Sequence, residues 1–252
     1  MDQRLGGQAL IVVLTGAGIS AESGLPTFRG PSGLWQRAGL RELAEADRLL
    51  RTPRLVWELI QALREYLADV HPNPAHFALA ELEEVTWPRG TVAIVTQNVD
   101  GLHQAAGSRR VVELHGSASR FVCQVCGAVH TCLPLRLPEL PPRCACGGII
   151  RPDVVFFGEP LHPDIWQEAM ALAERAAVFI VVGTSLEVEP AAVLPFVALE
   201  QGALVIEINL EPTVLTRSAD FAFHGFASHL LPLITERLRR ISQRPPKKIP
   251  VT

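Results

Sequence analysis

The 252-residue sequence has few cysteines, little net charge and no long apolar segment. Its five cysteines are too few for a disulfide scaffold, and all fall within residues 123–146, which favours a local metal site in a reducing compartment. The 23 Lys and Arg against 26 Asp and Glu give a net charge of −3, which argues against a nucleic-acid interface. No run approaches the roughly 18 apolar residues of a membrane span, and the early run 9–14 is too short for a secretion signal. We therefore expect a soluble, cytoplasmic protein with no membrane contact.

The apolar content is nevertheless high enough for a substantial core. Apolar residues make up 48% of the chain, and the length corresponds to one or two domains. Four short runs are almost continuously apolar, which is typical of strands buried on both faces of a parallel sheet. These runs are 9–14, 92–95, 178–182 and 204–208. Segments of helical periodicity, 74–84 and 163–177, lie between them, so the sequence predicts an open α/β sheet covered by helices.

Two stretches interrupt this alternation. Residues 30–71 are helix-rich without a strand signal, and residues 117–152 are rich in proline and hold all the cysteines. We expect both to pack together as a small helical and metal-binding module. The sheet domain would then comprise residues 1–29, 72–116 and 153–252. The basic stretch 237–252 is interpreted as a helix end followed by a solvated tail.

A glycine cluster follows the first apolar run. Gly16-x-Gly18-x-x-Ala21 fits a dinucleotide fingerprint, in which glycines allow a tight turn and close approach to a pyrophosphate. A helix is expected to follow and to offer free N–H groups to that charge. The acidic residue that usually binds the ribose at the end of the next strand is missing. This absence disfavours an ordinary hydride-transfer dehydrogenase.

Polar groups also follow later runs. Gln97, Asn98 and Asp100 come directly after the second run, and three such groups exceed what capping a helix needs. An Asn and an Asp together can donate to and accept from a carboxamide, the group that nicotinamide carries. His115 ends a short further run, and its unperturbed pKa of about 6.5 suits a general base. Because parallel strands end at one edge, these groups are expected to face one ligand crevice.

The cysteines form two close pairs across a loop. The pairs are Cys123-x-x-Cys126 and Cys144-x-Cys146. Four thiolates so arranged can close a tetrahedral zinc site that has a folding role and no open position for chemistry. The second pair is one residue tighter than usual, so Cys132 remains an alternative ligand and His130 a remote one.

Together these motifs resemble those of the sirtuins, the NAD-dependent protein deacylases of the Sir2 family. The resemblance runs from about residue 9 to residue 235. The matching segments are 15–30 (TGAGISAESGLPTFRG), 33–35 (GLW), 96–103 (TQNVDGLH), 113–116 (ELHG), 151–159 (RPDVVFFGE), 183–188 (GTSLEV) and 208–209 (IN).

The resemblance implies a Rossmann-like sheet domain beside the small zinc-and-helix module, with NAD and an acyl-lysine peptide meeting in the cleft between them. It also implies a reaction that consumes NAD. The acyl oxygen attacks the ribose carbon, nicotinamide leaves, and His115 takes a proton from a ribose hydroxyl so that the acyl group moves onto the ribose. The products are free lysine, nicotinamide and O-acyl-ADP-ribose.

The same resemblance implies the cofactor site. Asn98 and Asp100, with Val99 and Ile19, would hold the nicotinamide, and Phe28 would shield the reacting carbon from water. Other residues would contact the phosphate, ribose and adenine groups or lie beside them. These are Gly16, Ala17, Gly18, Ser20, Arg29, Trp35, Gln97, Gly183, Thr184, Ser185, Asn209, Leu210, Glu211 and, on the adenine side, Ala227.

On the substrate side, Val155 and Phe157 would flank the lysine channel, and 154–157 would offer an extended edge to the peptide backbone. Sirtuins that remove acidic acyl groups carry Tyr-x-x-Arg on one helix face. In our register Ile60 and Leu63 occupy those two positions. Burying a carboxylate beside them would be costly, so we expect acetyl or longer neutral acyl groups rather than succinyl.

Other functions remain open at this stage. Mono-ADP-ribosyl transfer uses the same glycosidic cleavage, and desuccinylation would follow if our register of the acyl pocket is wrong. A zinc-ribbon binding module on an inactive scaffold is disfavoured by the intact His115, Asn98 and Asp100. The sequence gives neither the protein substrate nor the oligomeric state.

Overall fold

The computed structural model describes residues 9–27, 40–86 and 90–242 of the chain. Its elements in chain order are β1 (Ala9–Thr15), α1 (Leu40–Leu43), α2 (Ala46–Arg51), α3 (Pro53–Leu67), α4 (Pro74–Thr86), β2 (Gly90–Thr96), α5 (Leu102–Ala105), β3 (Val111–Glu113), β4 (Gly116–Cys123), β5 (Val129–His130), β6 (Ile150–Val154), α6 (Pro163–Arg175), β7 (Val178–Val182), α7 (Leu194–Glu200), β8 (Leu204–Asn209), β9 (Phe221–His224) and α8 (Ala227–Ser242). Short 3-10 helices lie at Ala17–Ser23 and Ala191–Val193.

The main sheet has six parallel strands in the order β3-β2-β1-β7-β8-β9. The four predicted apolar runs form its four central strands, and this confirms the α/β fold class. β9 was not predicted, because all four of its residues are exposed and it carries no buried run. A strand at the edge needs only one neighbour and so leaves a weak sequence signal.

Helices cover both faces of this sheet. Along β1, Val12 and Leu14 face a cluster that includes Leu172 of α6 and Leu194 of α7. The alternate residues face a second cluster with α4 and α8. Because both faces are buried, β1 needs apolar side chains at every position, which explains its continuous pattern.

A separate core joins α3 to a small antiparallel sheet of order β5-β4-β6. Trp57 of α3 is fully buried, stacks on Phe121 of β4 at 5.6 Å between ring centroids, and donates from its indole nitrogen to the Ile150 carbonyl at 2.9 Å. α3 starts at Pro53, whose fixed φ angle suits the first helical turn. Residues from the two stretches that interrupt the α/β alternation therefore pack against one another.

At the C-terminal end, Arg239 and Arg240 lie on α8 and pair with Glu236, so this part of the basic stretch is a helix end. The rest of that stretch, 243–252, lies outside the described residues. Within the described ranges, none of the helices has the length and apolar character needed to cross a bilayer.

Candidate functional site

Four strands end together at one edge of the main sheet. The register places Thr15 at the end of β1 level with Thr96 of β2 and with Val182 of β7, and Val182 level with Ile208 of β8. Because neighbouring strands are about 4.8 Å apart, the edge from β2 to β8 extends over about 14 Å. This crevice suits an elongated ligand and lies where open parallel sheets bind ligands.

The glycines after β1 are required because the segment after β1 packs closely against the loop after β7. Gly18 donates to the Gly183 carbonyl at 2.8 Å, and a Cβ on Gly18 would lie 2.7 Å from the Gly183 Cα. Gly183 has a φ of +62°, and a Cβ there would lie 2.4 Å from the Ile19 nitrogen. The helix expected after β1 is present, as a 3-10 helix of seven residues. The Gly16 and Gly18 N–H groups bond to the end of β7 and the loop after it.

Ser20 is the centre of a buried polar cluster from three chain segments. Its hydroxyl donates to Asp100 Oδ2 at 2.7 Å and accepts from Asn98 Nδ2 at 3.3 Å. His76 Nε2 lies 3.4 Å from the same oxygen, and Asn98 Nδ2 also donates to the Gly16 carbonyl at 3.0 Å. Both amide hydrogens of Asn98 are thus used inside the chain. The Asn98 and Asp100 side chains therefore offer acceptors to a ligand, whereas the sequence predicted both donors and acceptors.

The Asp100 carboxyl is largely buried, and burial raises its pKa. Hydrogen bonds from the Leu102 amide and the Ser20 hydroxyl oppose this rise because they stabilise the charged form. The bond from the Leu102 N–H also caps the start of α5. Asp100 therefore caps a helix with one carboxylate oxygen and joins the polar cluster with the other.

His115 follows β3 and is oriented by a backbone group. Its Nδ1 lies 3.0 Å from the Gln97 carbonyl, which can only accept, so Nδ1 carries the hydrogen and Nε2 keeps its lone pair. Burial lowers the His115 pKa, and the bond to Gln97 raises it in part. The imidazole is therefore held as a neutral base beside Asn98, the residue after Gln97.

A second buried histidine, His103 of α5, is connected through two threonines to the backbone of Asn98. Its Nε2 lies 2.9 Å from Thr15 Oγ1, which donates to Thr96 Oγ1 at 2.8 Å, and Thr96 accepts from the Asn98 backbone N–H at 3.0 Å. Burial, together with the neighbouring His76, lowers the His103 pKa to about 3. Burial also lowers the His76 pKa to about 4. Both rings are therefore neutral near pH 7.

The residues that follow β7 and β8 at this edge include both buried and exposed side chains. Gln97 Nε2 donates to Thr184 Oγ1 at 3.0 Å and so ties the end of β2 to the end of β7. Asn209 is buried and donates to the Thr184 carbonyl at 3.2 Å. The side chains of Ser185, Leu210 and Glu211 are exposed at the surface.

Ala227 lies at the start of α8 with its side chain in the core, so only its backbone is available to a ligand. Next to it, the Ser228 hydroxyl and N–H both donate to the Glu22 carboxylate, across 206 positions of the sequence. This contact joins α8 to the loop after β1.

The four paired cysteines converge. The sulfur atoms of Cys123, Cys126, Cys144 and Cys146 all lie within 4.8 Å of one another. Cys123 and Cys146 Sγ are 3.5 Å apart, and Cys126 and Cys144 Sγ are 3.8 Å apart. Tetrahedral zinc with Zn–S bonds of about 2.3 Å requires sulfurs about 3.8 Å apart, so the cluster fits zinc. Cys132 and His130 lie outside the cluster, so the geometry favours Cys146 as the fourth ligand.

Hydrogen bonds to other parts of the chain fix the conformation of the segment 154–157. Arg151 makes a bidentate pair with Glu159 at 2.6 and 2.8 Å and donates to the Val154 carbonyl at 2.9 Å. Glu159 accepts from the Phe156 N–H at 3.0 Å, and Phe157 bonds through both backbone groups to residues 44–46. The expected continuous peptide-binding edge is therefore wrong for residues 156 and 157, because their backbone groups are already bonded.

Ile60 and Leu63 lie on α3, where Ile60 belongs to the small core and Leu63 is half-buried. The polar residues nearest to them in sequence bond elsewhere. The Arg64 guanidinium donates to the carbonyls of Leu133, Pro134 and Leu135, at 2.8–3.4 Å. The Tyr66 hydroxyl donates to the Gly24 carbonyl at 2.6 Å. Arg64 and Tyr66 are thus held by backbone carbonyls.

Phe28, Arg29 and Trp35, which the sequence assigns to the cofactor, lie outside the described residues. The sequence reasoning did not find five buried polar residues at this end of the sheet: Thr15, His76, Thr96, His103 and Glu207. Thr15 and Thr96 had a usable signal, because a polar side chain ends each otherwise apolar strand. His76 lies on an apolar helix face, where a lone histidine is indistinguishable from core.

These features are those of an α/β protein with polar groups gathered at the carboxyl edge of a parallel sheet, a buried imidazole after β3 and a four-cysteine cluster that fits zinc. The Sir2 family profile matches residues 16–190. The chain is 51% identical over 230 residues to "NAD-dependent protein deacylase 2" of Pyrobaculum aerophilum, covering 91% of each chain. The chain belongs to the Sir2 family.

Solved structures of Sir2 proteins have the same fold as this chain. A Sir2 homologue in complex with NAD is 41% identical with a TM-score of 0.85, covering 95% of this chain and 93% of the other. A Sir2 complex with a p53 peptide and NAD+ is 34% identical with a TM-score of 0.80, covering 92% and 95%.

Proposed function

We propose that this chain is an NAD-dependent protein deacylase that removes acetyl and longer neutral acyl groups from lysine side chains. The observation that carries the proposal is the orientation of His115. Its Nδ1 is held 3.0 Å from the carbonyl of Gln97, the residue before Asn98, which leaves Nε2 free to act as a base. Family membership and the names of the relatives support NAD and acyl-lysine as the two substrates.

Bound NAD supplies an electrophilic ribose carbon from which nicotinamide can leave. Asn98 and Asp100 would direct acceptor oxygens at the amide N–H groups of the nicotinamide. His115 Nε2 would take a proton from a ribose hydroxyl, while the Gln97 carbonyl stabilises the ring as it gains charge. Phe28 would exclude water from the reacting carbon, and Arg29 would bind the phosphate or ribose side.

The remaining cofactor residues would follow the edge of the sheet from nicotinamide to adenine. Val99 and Ile19 would pack near the nicotinamide, and Trp35 would lie beside the cofactor. The residues assigned to the diphosphate, riboses and adenine are Gly16, Ala17, Gly18, Ser20, Gln97, Gly183, Thr184, Ser185, Asn209, Leu210, Glu211 and the backbone of Ala227. The backbone packing of Gly18 on Gly183 supports this, because it brings the loops after β1 and β7 together at the middle of the edge.

Acyl-lysine proteins or peptides would enter beside Val155 and Phe157. The complex of a Sir2 protein with a p53 peptide supports a peptide substrate. The preference for neutral acyl groups rests on Ile60 and Leu63, which are aliphatic. It is supported by the bonding of Arg64 and Tyr66 to backbone carbonyls, which keeps both from an acyl carboxylate.

The proposal includes two modules. Residues 1–29, 72–116 and 153–252 would form the Rossmann-like domain, and 30–71 with 117–152 the helical and zinc-binding module. The separate core around Trp57 supports this division. Zinc on the four cysteines would hold the small module together without entering the reaction. A reduced thiolate cluster also supports a cytoplasmic location.

The test is mass spectrometry of the protein incubated with NAD and acetyl-, fatty-acyl- or succinyl-lysine peptides. We expect nicotinamide and O-acyl-ADP-ribose from the first two, and loss of both in His115→Ala. A His162→Ala variant, on the exposed surface, is the matched control. ADP-ribose attached to protein would instead establish transferase activity, and efficient desuccinylation would overturn the acyl preference. No nicotinamide release with any peptide would refute the proposal.

A further inference from the structure

The backbone around His115 is in direct contact with the strand that leads to the proposed lysine channel. The His115 carbonyl accepts from the Val155 N–H at 3.0 Å. Gly116 has a φ of +78°, and a Cβ there would lie 1.9 Å from the Asp153 carbonyl oxygen. Because backbone packs on backbone at this point, a shift of one segment is passed directly to the other.

β4 leaves its regular pairing with β6 directly after this contact. The pair Ser117–Asp153 is followed by the pair Phe121–Pro152, so three residues of β4 lie between the two pairs without a counterpart on β6. The last of these three residues is Arg120. A bulge of this kind bends a strand and changes the direction of a side chain, here that of Arg120.

The Arg120 guanidinium bridges two carboxylates. Its Nη1 donates to Glu113 Oε2 at 3.0 Å, and its Nε donates to the Asp153 carboxylate. Glu113 lies two residues before His115, and Asp153 lies two residues before Val155. Among the residues that the structure describes, neither carboxylate pairs with a second cation. One cation thus joins the segment that carries the base to the segment that leads to the lysine channel.

The bridge is better suited to fixing a distance than to adding stability. The three side chains are partly exposed, and exposed ion pairs contribute little to the free energy of unfolding. A guanidinium is planar and rigid, however, so two of its nitrogens hold their two carboxylates at a set separation. Gln104 of α5 donates to Glu113 Oε1 at 2.9 Å and restrains that carboxylate further. The separation of Glu113 and Asp153 is therefore set by Arg120.

We propose that Arg120 is a positioning residue that holds His115 and the segment around Val155 in a fixed relation to each other. It restrains the base through Glu113 and the peptide-binding strand through Asp153. The inference rests on the proposed function, in which His115 accepts a proton and acyl-lysine enters beside Val155. A guanidinium outside the reaction would then keep the base and the peptide at a working distance.

Steady-state kinetics with NAD and an acetyl-lysine peptide test this coupling. Arg120→Gln should lower kcat and raise the peptide KM, each by about tenfold, because both segments lose their common restraint. Glu113→Gln should mainly lower kcat, and Asp153→Asn should mainly raise KM, since each frees one segment only. Either substitution should add little in the Arg120→Gln background. A general loss of structure would not divide kcat and KM in this way.

Amide hydrogen exchange gives a second readout that needs no substrate. The Val155 N–H should exchange about tenfold faster in Arg120→Gln, because its bond to the His115 carbonyl opens more often. Arg120→Lys keeps a cation between the carboxylates and should restore most of this protection, of kcat and of KM. The matched control is Arg110→Gln, which removes a half-exposed ion pair with Glu168 at the other end of β3 and should leave all three unchanged.

Thermal unfolding identifies a variant that does not fold. If Arg120→Gln is such a variant, the division of kcat and KM between Glu113→Gln and Asp153→Asn decides. Folded Arg120→Gln with unchanged kcat, KM and Val155 exchange would overturn the inference, and so would an Arg120→Lys variant as impaired as Arg120→Gln. If the unchanged protein releases no nicotinamide with any acyl-lysine peptide, the proposed function itself fails.

Discussion

Arg151 and Glu159 close the chain between them into a loop through two short parallel hydrogen bonds. The guanidinium also lies over the Phe156 ring, 5.3 Å from its centroid. The loop carries Val155 and Phe157, which we assign to the lysine channel. The conformation of this loop therefore depends on a charge pair whose described hydrogen bonds are all within residues 151–159.

The first prediction concerns this pair. Arg151→Lys keeps the charge but loses the bidentate geometry, so KM for an acetyl-lysine peptide should rise by about tenfold. The affinity for ADP-ribose should change less than the peptide KM, because the described bonds of the loop run to the His115 carbonyl and to residues 44–46 and not to the ends of β1 and β7. Arg175→Lys, on the exposed end of α6, is the control. An unchanged peptide KM, or a parallel loss of ADP-ribose affinity, would contradict the assignment.

The second prediction concerns stability at acidic pH. The folded-state pKa values of His76 and His103 are about 4 and about 3, below the 6.5 of an exposed imidazole. Below pH 6.5 the unfolded chain takes up protons that the folded protein does not. The free energy of unfolding should therefore fall by up to about 1.4 kcal/mol per pH unit for each ring between pH 6.5 and 4.

Urea unfolding at a series of pH values measures this slope. His103→Gln removes one titrating ring and should flatten the slope by about half. His162→Gln, an exposed substitution, should leave it unchanged. A slope that does not respond to His103→Gln would mean that its ring is not held neutral in the folded protein.

The third prediction concerns His115 as the base. Burial lowers the His115 pKa, so kcat should be level above pH 6.5 and should fall only below that value, where the ring becomes protonated. His115→Ala should lower kcat by about a hundredfold or more, with ADP-ribose affinity retained. The pH profile of kcat and calorimetry separate the two effects. A variant that keeps most of its kcat would exclude His115 as the base.

The fourth prediction concerns the cysteine cluster. Cys146→Ser should lower zinc content and Tm, because a structural site loses one of four ligands. Cys132→Ser changes a nearby exposed cysteine outside the cluster and should alter neither. Metal analysis and thermal unfolding provide the comparison. Equal effects of the two substitutions would show that the cluster is not the metal site.

The sheet and the cysteine pairs were predictable because each rests on local sequence. A strand such as β1, buried on both faces, requires an unbroken apolar run, and its neighbours β2 and β7 follow the same rule. The cysteine spacing likewise limits which sulfurs can meet. β9 and the 3-10 form of the helix after β1 were not predicted, because both depend on partners distant in the sequence.

The polar residues that support the site could be identified only from the fold. Nothing in the sequence indicates that His103 bonds to Thr15, 88 positions away, or that Asn209 donates a hydrogen bond to Glu207. The same holds for the donor groups of Asn98, which are used by Gly16 and Ser20. Sequence patterns identify the groups that meet the ligand, but the hydrogen-bond directions that decide what each group offers emerge only from packing.

The contact of Glu22 with Ser228 has a consequence for biosynthesis. The segment after β1 is made early in translation, but its hydrogen bonds to Ser228 can form only after α8 has been made. A nascent chain that lacks this helix would have the paired strands but an unfinished crevice. Cofactor capture should therefore coincide with completion of the fold, so incompletely translated chains would not consume the cell's dinucleotide.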